Sequence, residues 1–204
     1  LSSGGDVDAL NAADIPGGER NVGDELTHLI ATIGENMTLR RAANVFVSNG
    51  ALASYVHSAI APGMGKIGVL VGLESNSDAD KLAELGKQIA MHIAAAKPLA
   101  VSQDDLDPAE VERERTVLSE QARESGKPEE IIEKMVIGRL RKFYEEVCLL
   151  DQTFVIDGET KISDVLANAT KELGAPVSVA GFALMVLGEG IEKREEDFAA
   201  EVAA

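Results

Sequence analysis

Tryptophan is missing from this chain, and aromatic residues make up only 3% of its 204 positions. A core must therefore be assembled from Ala, Val, Ile and Leu, which suits small α+β layers and helix pairs. A single cysteine, Cys148, excludes an internal disulfide and fits a reducing, cytoplasmic setting. It lies in the apolar run VCLL and reads as a small core or interface residue. No apolar run reaches the roughly 18 residues that a membrane span needs, and no signal peptide is legible. The chain starts at Leu1 rather than Met, which reads as a cut, a processing site or a cloned boundary.

Basic residues are also scarce. Nineteen Lys and Arg face 35 Asp and Glu, for a net charge of -16. Phosphate backbones need cationic neutralisation, so nucleic acid is a poor partner, as is an anionic membrane. The acidic surface favours solubility and can steer the chain toward basic patches on another protein. Catalytic signatures are missing too. His28, His57 and His92 are scattered without a neighbouring cysteine, which argues against zinc. The loop APGMGK (61–66) lacks the four-residue spacer and the hydroxyl after Lys66 that a phosphate loop requires, so it reads as a hairpin loop. There is no G-x-S-x-G elbow. The expectation is a binding protein and not an enzyme, with no cofactor and no metal.

What is present is helical punctuation and strand-like runs. Residues 1–23, rich in Gly, Ser, Asp and Asn, read as a weakly ordered lead-in. DELTHLIATIGE (24–35) places Leu26, Leu29, Ile30 and Ile33 on one helical face, with Gly34 as its terminator. Residues 37–48 look extended in part, Asn49-Gly50 signals a turn, and 53–58 and 66–73 read as strands. Ser77 opens a helix over about 78–96 with the stripe Leu82, Leu85, Ile89, Ile93 and Ala96. Lys97-Pro98 stops it.

Asp107-Pro108-Ala109-Glu110 is a helix start, Gly126 ends that helix, and Lys127-Pro128-Glu129-Glu130 begins another. Two helices of about 20 residues, each spanning about 30 Å and joined by a two- or three-residue turn, run antiparallel. Nearly half of residues 107–149 are charged. Such helices bury only a narrow seam: Val111, Leu118 and Ala122 against Ile132, Val136, Leu140, Phe143 and Val147. That pattern is an antiparallel coiled-coil hairpin inserted in a larger unit, with an unusual internal Gly138. Beyond it, QTFVI reads as extended, Asp157-Gly158 as a turn and 162–173 as a helix. A strand over 177–186 and a final helix over about 194–203 follow.

Six of these segments resemble elongation factor Ts, the nucleotide-exchange factor of elongation factor Tu, in order along the chain. They are IGENMTLRR (33–41), SYVHS (54–58), KIGVLVGL (66–73), IAMHIAAAKP (89–98), SGKPEEIIEKMVIGRLRKFYEEVCLLDQTFV (125–155) and GEGIEKREEDFAAEV (188–202). The resemblance covers roughly residues 20–204. It implies an α+β fold of two small subdomains of antiparallel sheet plus helices, with an inserted antiparallel coiled-coil helical hairpin. Residues 1–64 would be a truncated first core subdomain with its flexible lead-in. Residues 65–106 and 150–190 would form a second, dimerisation-type subdomain, 107–149 the hairpin and 191–204 a C-terminal helical module.

The resemblance also implies a function: binding elongation factor Tu, weakening its hold on GDP and so promoting guanine nucleotide exchange in the cytoplasm. Residue by residue, Ile33 and Gly34 match a turn that touches the partner's G domain; a plain helix end is the other reading. His57 matches a partner-contacting histidine, or is simply a polar group on an exposed strand face. Val155 and Ile156 match an apolar pair that packs on a distal domain of the partner, or are ordinary strand core. Phe154 to Ile156 is the better candidate for contact than the hairpin itself. The 198–204 tail resembles a module that also reaches the G domain. The family's Thr-Asp-Phe-Val motif is not among these 204 residues, so weak exchange by this chain alone is expected. A structural homodimer formed through the second subdomain is the alternative role.

Overall fold

The computed structural model describes residues 4–191 of the chain. Among them the elements are α1 (Val7–Asn11), α2 (Val22–Ile33), β1 (Gly50–Ala61), β2 (Met64–Glu74), α3 (Ala79–Ala96), α4 (Pro108–Arg123), α5 (Glu129–Val147), α6 (Ile162–Leu173) and β3 (Ser178–Val186). The fold is α+β, as expected. The expected two sheets are not both seen: the described residues contain one antiparallel sheet of three strands, in the order β1-β2-β3. Segments 53–58 and 66–73 are the two halves of one hairpin that turns at Pro62-Gly63, where Gly63 takes a φ of 73°.

Register decides which face is core. Ala51, Ala53 and Tyr55 stand opposite Leu73, Val71 and Val69, so the alternate positions of both strands point to one side. That side packs against α3, whose Leu82, Ile89 and Ile93 are fully buried at helical spacing. Gly86 lies at the closest point: a Cβ there would fall 2.7 Å from the Ala53 Cβ. Leu149, Phe154, Ile162 and Leu166 close the same core from α6 and the chain before it.

Several local expectations are corrected. The lead-in is not shapeless: α1 forms, Asp14 bridges to Asn21, and the Asn21 side chain accepts the Asp24 N–H (2.8 Å) to start α2 two residues earlier than expected. Residues 37–48 join no ladder. The Val45 and Val47 side chains instead lie over Gly72 on the sheet's other face, where a Cβ would come within 2.7 Å of Val47. The cap of α3 is Asp78 and not Ser77; its carboxylate accepts the Asp80 and Lys81 N–H groups (3.0 and 3.1 Å). QTFVI is not extended throughout, because the chain bridges at Thr153 and turns at 155–157. The helix expected over about 194–203, the 198–204 tail and most of the 191–204 module lie outside the described residues.

Helices α4 and α5 pack side by side. Asp107 caps α4 by accepting the Ala109 N–H (2.9 Å), with Pro108 at the first helical position. The connection over 124–128 is longer than the two or three residues expected, since α4 passes into tight turns at Ser125 and Gly126 and Pro128 sets the start of α5. The expected seam is divided in two. Ala122, Ile132, Val136 and Leu140 form one cluster with Leu118, whereas Val111, Phe143 and Val147 pack with Ala100, Leu106 and Cys148.

Candidate partner interface

The candidate contact residues stand on three supports. The first is the end of α2. Gly34 adopts the left-handed conformation (φ 79°) and donates its N–H to the Ile30 carbonyl (2.9 Å), closing the helix as a glycine terminator does. Ile33, one residue earlier, is exposed. The second support is β1. His57 is exposed opposite Ile67, and its Nδ1 lies 3.1 Å from the Tyr55 hydroxyl, so the half-buried Tyr55 fixes the ring from one strand turn away.

The third support is the loop after α5. Phe154 is 5% exposed, whereas Val155 and Ile156 are 48% and 51% exposed. The resemblance offers Phe154 to Ile156 as a contact segment, but Phe154 belongs to the core and only the next two residues face outward. The loop is closed by its backbone: Phe154 donates to the Thr160 carbonyl (2.7 Å) and Gly158 to the Phe154 carbonyl (2.8 Å). The Asp157 carboxylate accepts the Glu159 and Thr160 N–H groups (3.0 Å each), which holds it below the usual carboxylate range.

Behind this loop is a buried polar group that periodicity cannot reveal. His92, on α3, is fully buried beside the Phe154 ring. Its Nε2 lies 2.8 Å from Gln152 Oε1, and its Nδ1 accepts the Val155 N–H at 3.2 Å. Gln152 in turn donates Nε2 to the Glu146 carbonyl (2.6 Å) at the end of α5. Burial pushes the imidazole pKa below its ordinary value, against the opposing effect of the Gln152 hydrogen bond.

The structure brings none of Ile33, Gly34, His57, Val155 and Ile156 into the groove that lies beside β1. This groove of about 590 Å³ lies between the chain just past Gly34 and the β1–β2 hairpin, and among its lining residues are Met37, Arg41, Val56, Lys66 and Leu187. Arg41 pairs with Glu189 across it (2.8 Å), and Arg40 donates to the Glu189 carbonyl (2.7 Å). The sequence offered no signal for this groove, because 33–41 and 185–191 meet only through the fold. Cys148 is fully buried, and burial with nearby Asp151 and Asp105 pushes its thiol up to about 11, so it is no nucleophile. Among the described residues, no three His, Cys, Asp or Glu are grouped to hold a metal, and no helix is long and apolar enough to cross a membrane.

Fold and surface together define an α+β chain whose singled-out residues are exposed at a helix end, on a strand and in a loop. The family model described as Elongation factor TS matches residues 2–189. Similar curated proteins, each called Elongation factor Ts, occur in Paramagnetospirillum magneticum (64% identical over 204 residues), Rhodospirillum centenum (61% over 204) and Rhodospirillum rubrum (62% over 205). All of this chain is covered in each case, against 65%, 66% and 66% of the relative. The chain belongs to the elongation factor Ts family, a family of translation elongation factors. It spans about two thirds of the length of these curated relatives, slightly under that fraction in each.

Proposed function

We propose that this chain is the part of an elongation factor Ts that grips elongation factor Tu and promotes release of its GDP. The observation that carries the reading is the exposure of all five residues the family resemblance assigns to the partner. Ile33, Gly34, His57, Val155 and Ile156 are exposed, while their neighbours Tyr55 and Phe154 are drawn into the core. Aliphatic side chains left in water on ordered supports suit a protein partner.

The energetics need no covalent chemistry. A protein that binds nucleotide-free elongation factor Tu more tightly than the GDP-bound form must, by linkage, weaken GDP binding by the same factor. In this reading the α4–α5 pair is a coiled-coil hairpin that leaves the core, and the β1–β2 hairpin joins the two subdomains. The 198–204 tail is a further candidate contact with the partner, and the setting is the cytoplasm. The Thr-Asp-Phe-Val motif is not in these residues, so exchange by this chain alone is slow.

Stopped-flow release of fluorescent GDP from elongation factor Tu tests the proposal. Ile156→Asp should weaken binding about tenfold or more, since it places an unpaired charge in an apolar contact. Unchanged binding by Ile156→Asp, Val155→Asp and His57→Ala would overturn the site. Acceleration equal to that of a full-length family member would overturn the claim that this chain exchanges slowly.

A second reading, self-association, is favoured by the sheet face away from α3. In the expected second subdomain (65–106 and 150–190), Leu70 is exposed on that face. Light scattering over a range of concentrations decides between a monomer and a dimer.

A further inference from the structure

The Val155–Ile156 tip is held from behind by a chain of hydrogen bonds whose every direction is fixed. The Glu146 carbonyl can only accept, so the Gln152 amide nitrogen must face it, which turns Gln152 Oε1 toward His92. The Val155 N–H can only donate, so His92 Nδ1 must carry its lone pair. The proton then sits on Nε2 and is donated to Gln152 Oε1. No member has a choice of tautomer or amide orientation, and His92 and Gln152 are buried. A second clamp comes from the backbone, as Ile162 donates to the Gln152 carbonyl (3.0 Å).

We propose that His92 and Gln152 are positioning residues for partner binding: they fix the Val155–Ile156 tip on α3 and tie it to the last turn of α5. The inference rests on the reading of that tip as a contact with elongation factor Tu. His92 meets no partner itself, being fully buried. Its effect is on the cost of binding. A loose two-residue tip would lose backbone freedom when gripped, and a tip already held does not. The same bonds give α5 and the contact tip one anchor, so the last turn of α5 cannot shift without disturbing Val155.

Two substitutions separate the two nitrogens. His92→Asn keeps an acceptor at the Nδ1 position and loses the donor to Gln152. His92→Gln keeps a donor at the Nε2 position and loses the acceptor for Val155. Amide hydrogen exchange of Val155 in the full chain is the direct readout, with the Leu73 and Ile93 amides as controls for folding. His92→Gln should speed Val155 exchange about tenfold, and His92→Asn, which keeps the Val155 bond but loses the Gln152 link that orients it, about threefold.

Affinity for elongation factor Tu with GDP should follow the same order. Ile156→Ala should weaken binding less in the His92→Gln background than in the unaltered chain. Gln152→Ala, which leaves His92 in place, is the second variant should His92→Gln fail the folding controls, and it too should speed Val155 exchange. Val155 protection unchanged in His92→Gln and Gln152→Ala would overturn the positioning role, as would additive effects of His92→Gln and Ile156→Ala on affinity. If Ile156→Ala alone leaves affinity unchanged, the contact reading fails, and the exchange measurements still decide whether the tip is held as described.

Discussion

At the scale of single residues, two buried positions show how little room the core leaves. Gly86 sits in the middle of α3, where alanine would ordinarily be better by about 1 kcal/mol. Here the added methyl would stand 2.7 Å from the Ala53 Cβ, which is fixed to the strand and cannot swing away. Gly86→Ala should therefore destabilise the chain by about 1–2 kcal/mol, read as a lower urea midpoint at unchanged slope. His92 is the other. Its pKa is lowered by burial, so the folded state prefers the neutral ring and the unfolded state binds more protons near pH 6. The stabilisation is complete above the unfolded value of 6.5 and is lost as the pH falls below it toward the lower folded value. The stability difference between the unaltered chain and His92→Asn should shrink over that window, measured by urea unfolding at about pH 7.5 and about pH 5. Neither residue announces itself in the sequence. A glycine in a helix and a histidine in AMHIAA acquire their meaning only from what lies across the gap.

Among the elements, α5 carries a glycine of the opposite kind. A Cβ at Gly138 would meet nothing within 4 Å, and the residue is not among those with positive φ. Gly138→Ala should stabilise α5 by about 1 kcal/mol, raising the thermal midpoint by a few degrees. Helix ends were the most legible features of the chain. Asp107-Pro108 starts α4 and Gly34 stops α2 as expected, since a cap depends on a few adjacent residues and their own backbone. Strand pairing was less legible. Runs 53–58 and 66–73 were visible from their composition and pair directly as one hairpin, yet the strand that completes their sheet, β3, comes from over 100 residues away. The segment 37–48 has strand-like residues but no partner edge, so its valines serve as a cover for Gly72 instead.

For the molecule as a whole, the apolar cluster between α4 and α5 and the one where their ends meet Ala100, Leu106 and Cys148 are separate from the core formed by the sheet, α3 and α6. The chain leaves and re-enters that core at one place: Leu99 donates to the Val147 carbonyl (2.8 Å), and Ala100 bridges Cys148. Replacing 103–146 by a short flexible linker should leave the core folded, with its thermal midpoint within several degrees of the full chain and the helical circular dichroism reduced. Collapse of the remaining signal would show that the pair is part of the core. The sequence by itself determined the α+β class, several helix ends and the family, and it offered the candidate contact residues, because periodicity, capping and motif order are local and survive without a fold. Only the tertiary structure decided that Phe154 turns inward while Val155 and Ile156 stay in water. Three consecutive apolar residues give no alternation to read, and the partner of the Val155 N–H is His92, which reaches it from α3, over 60 residues away.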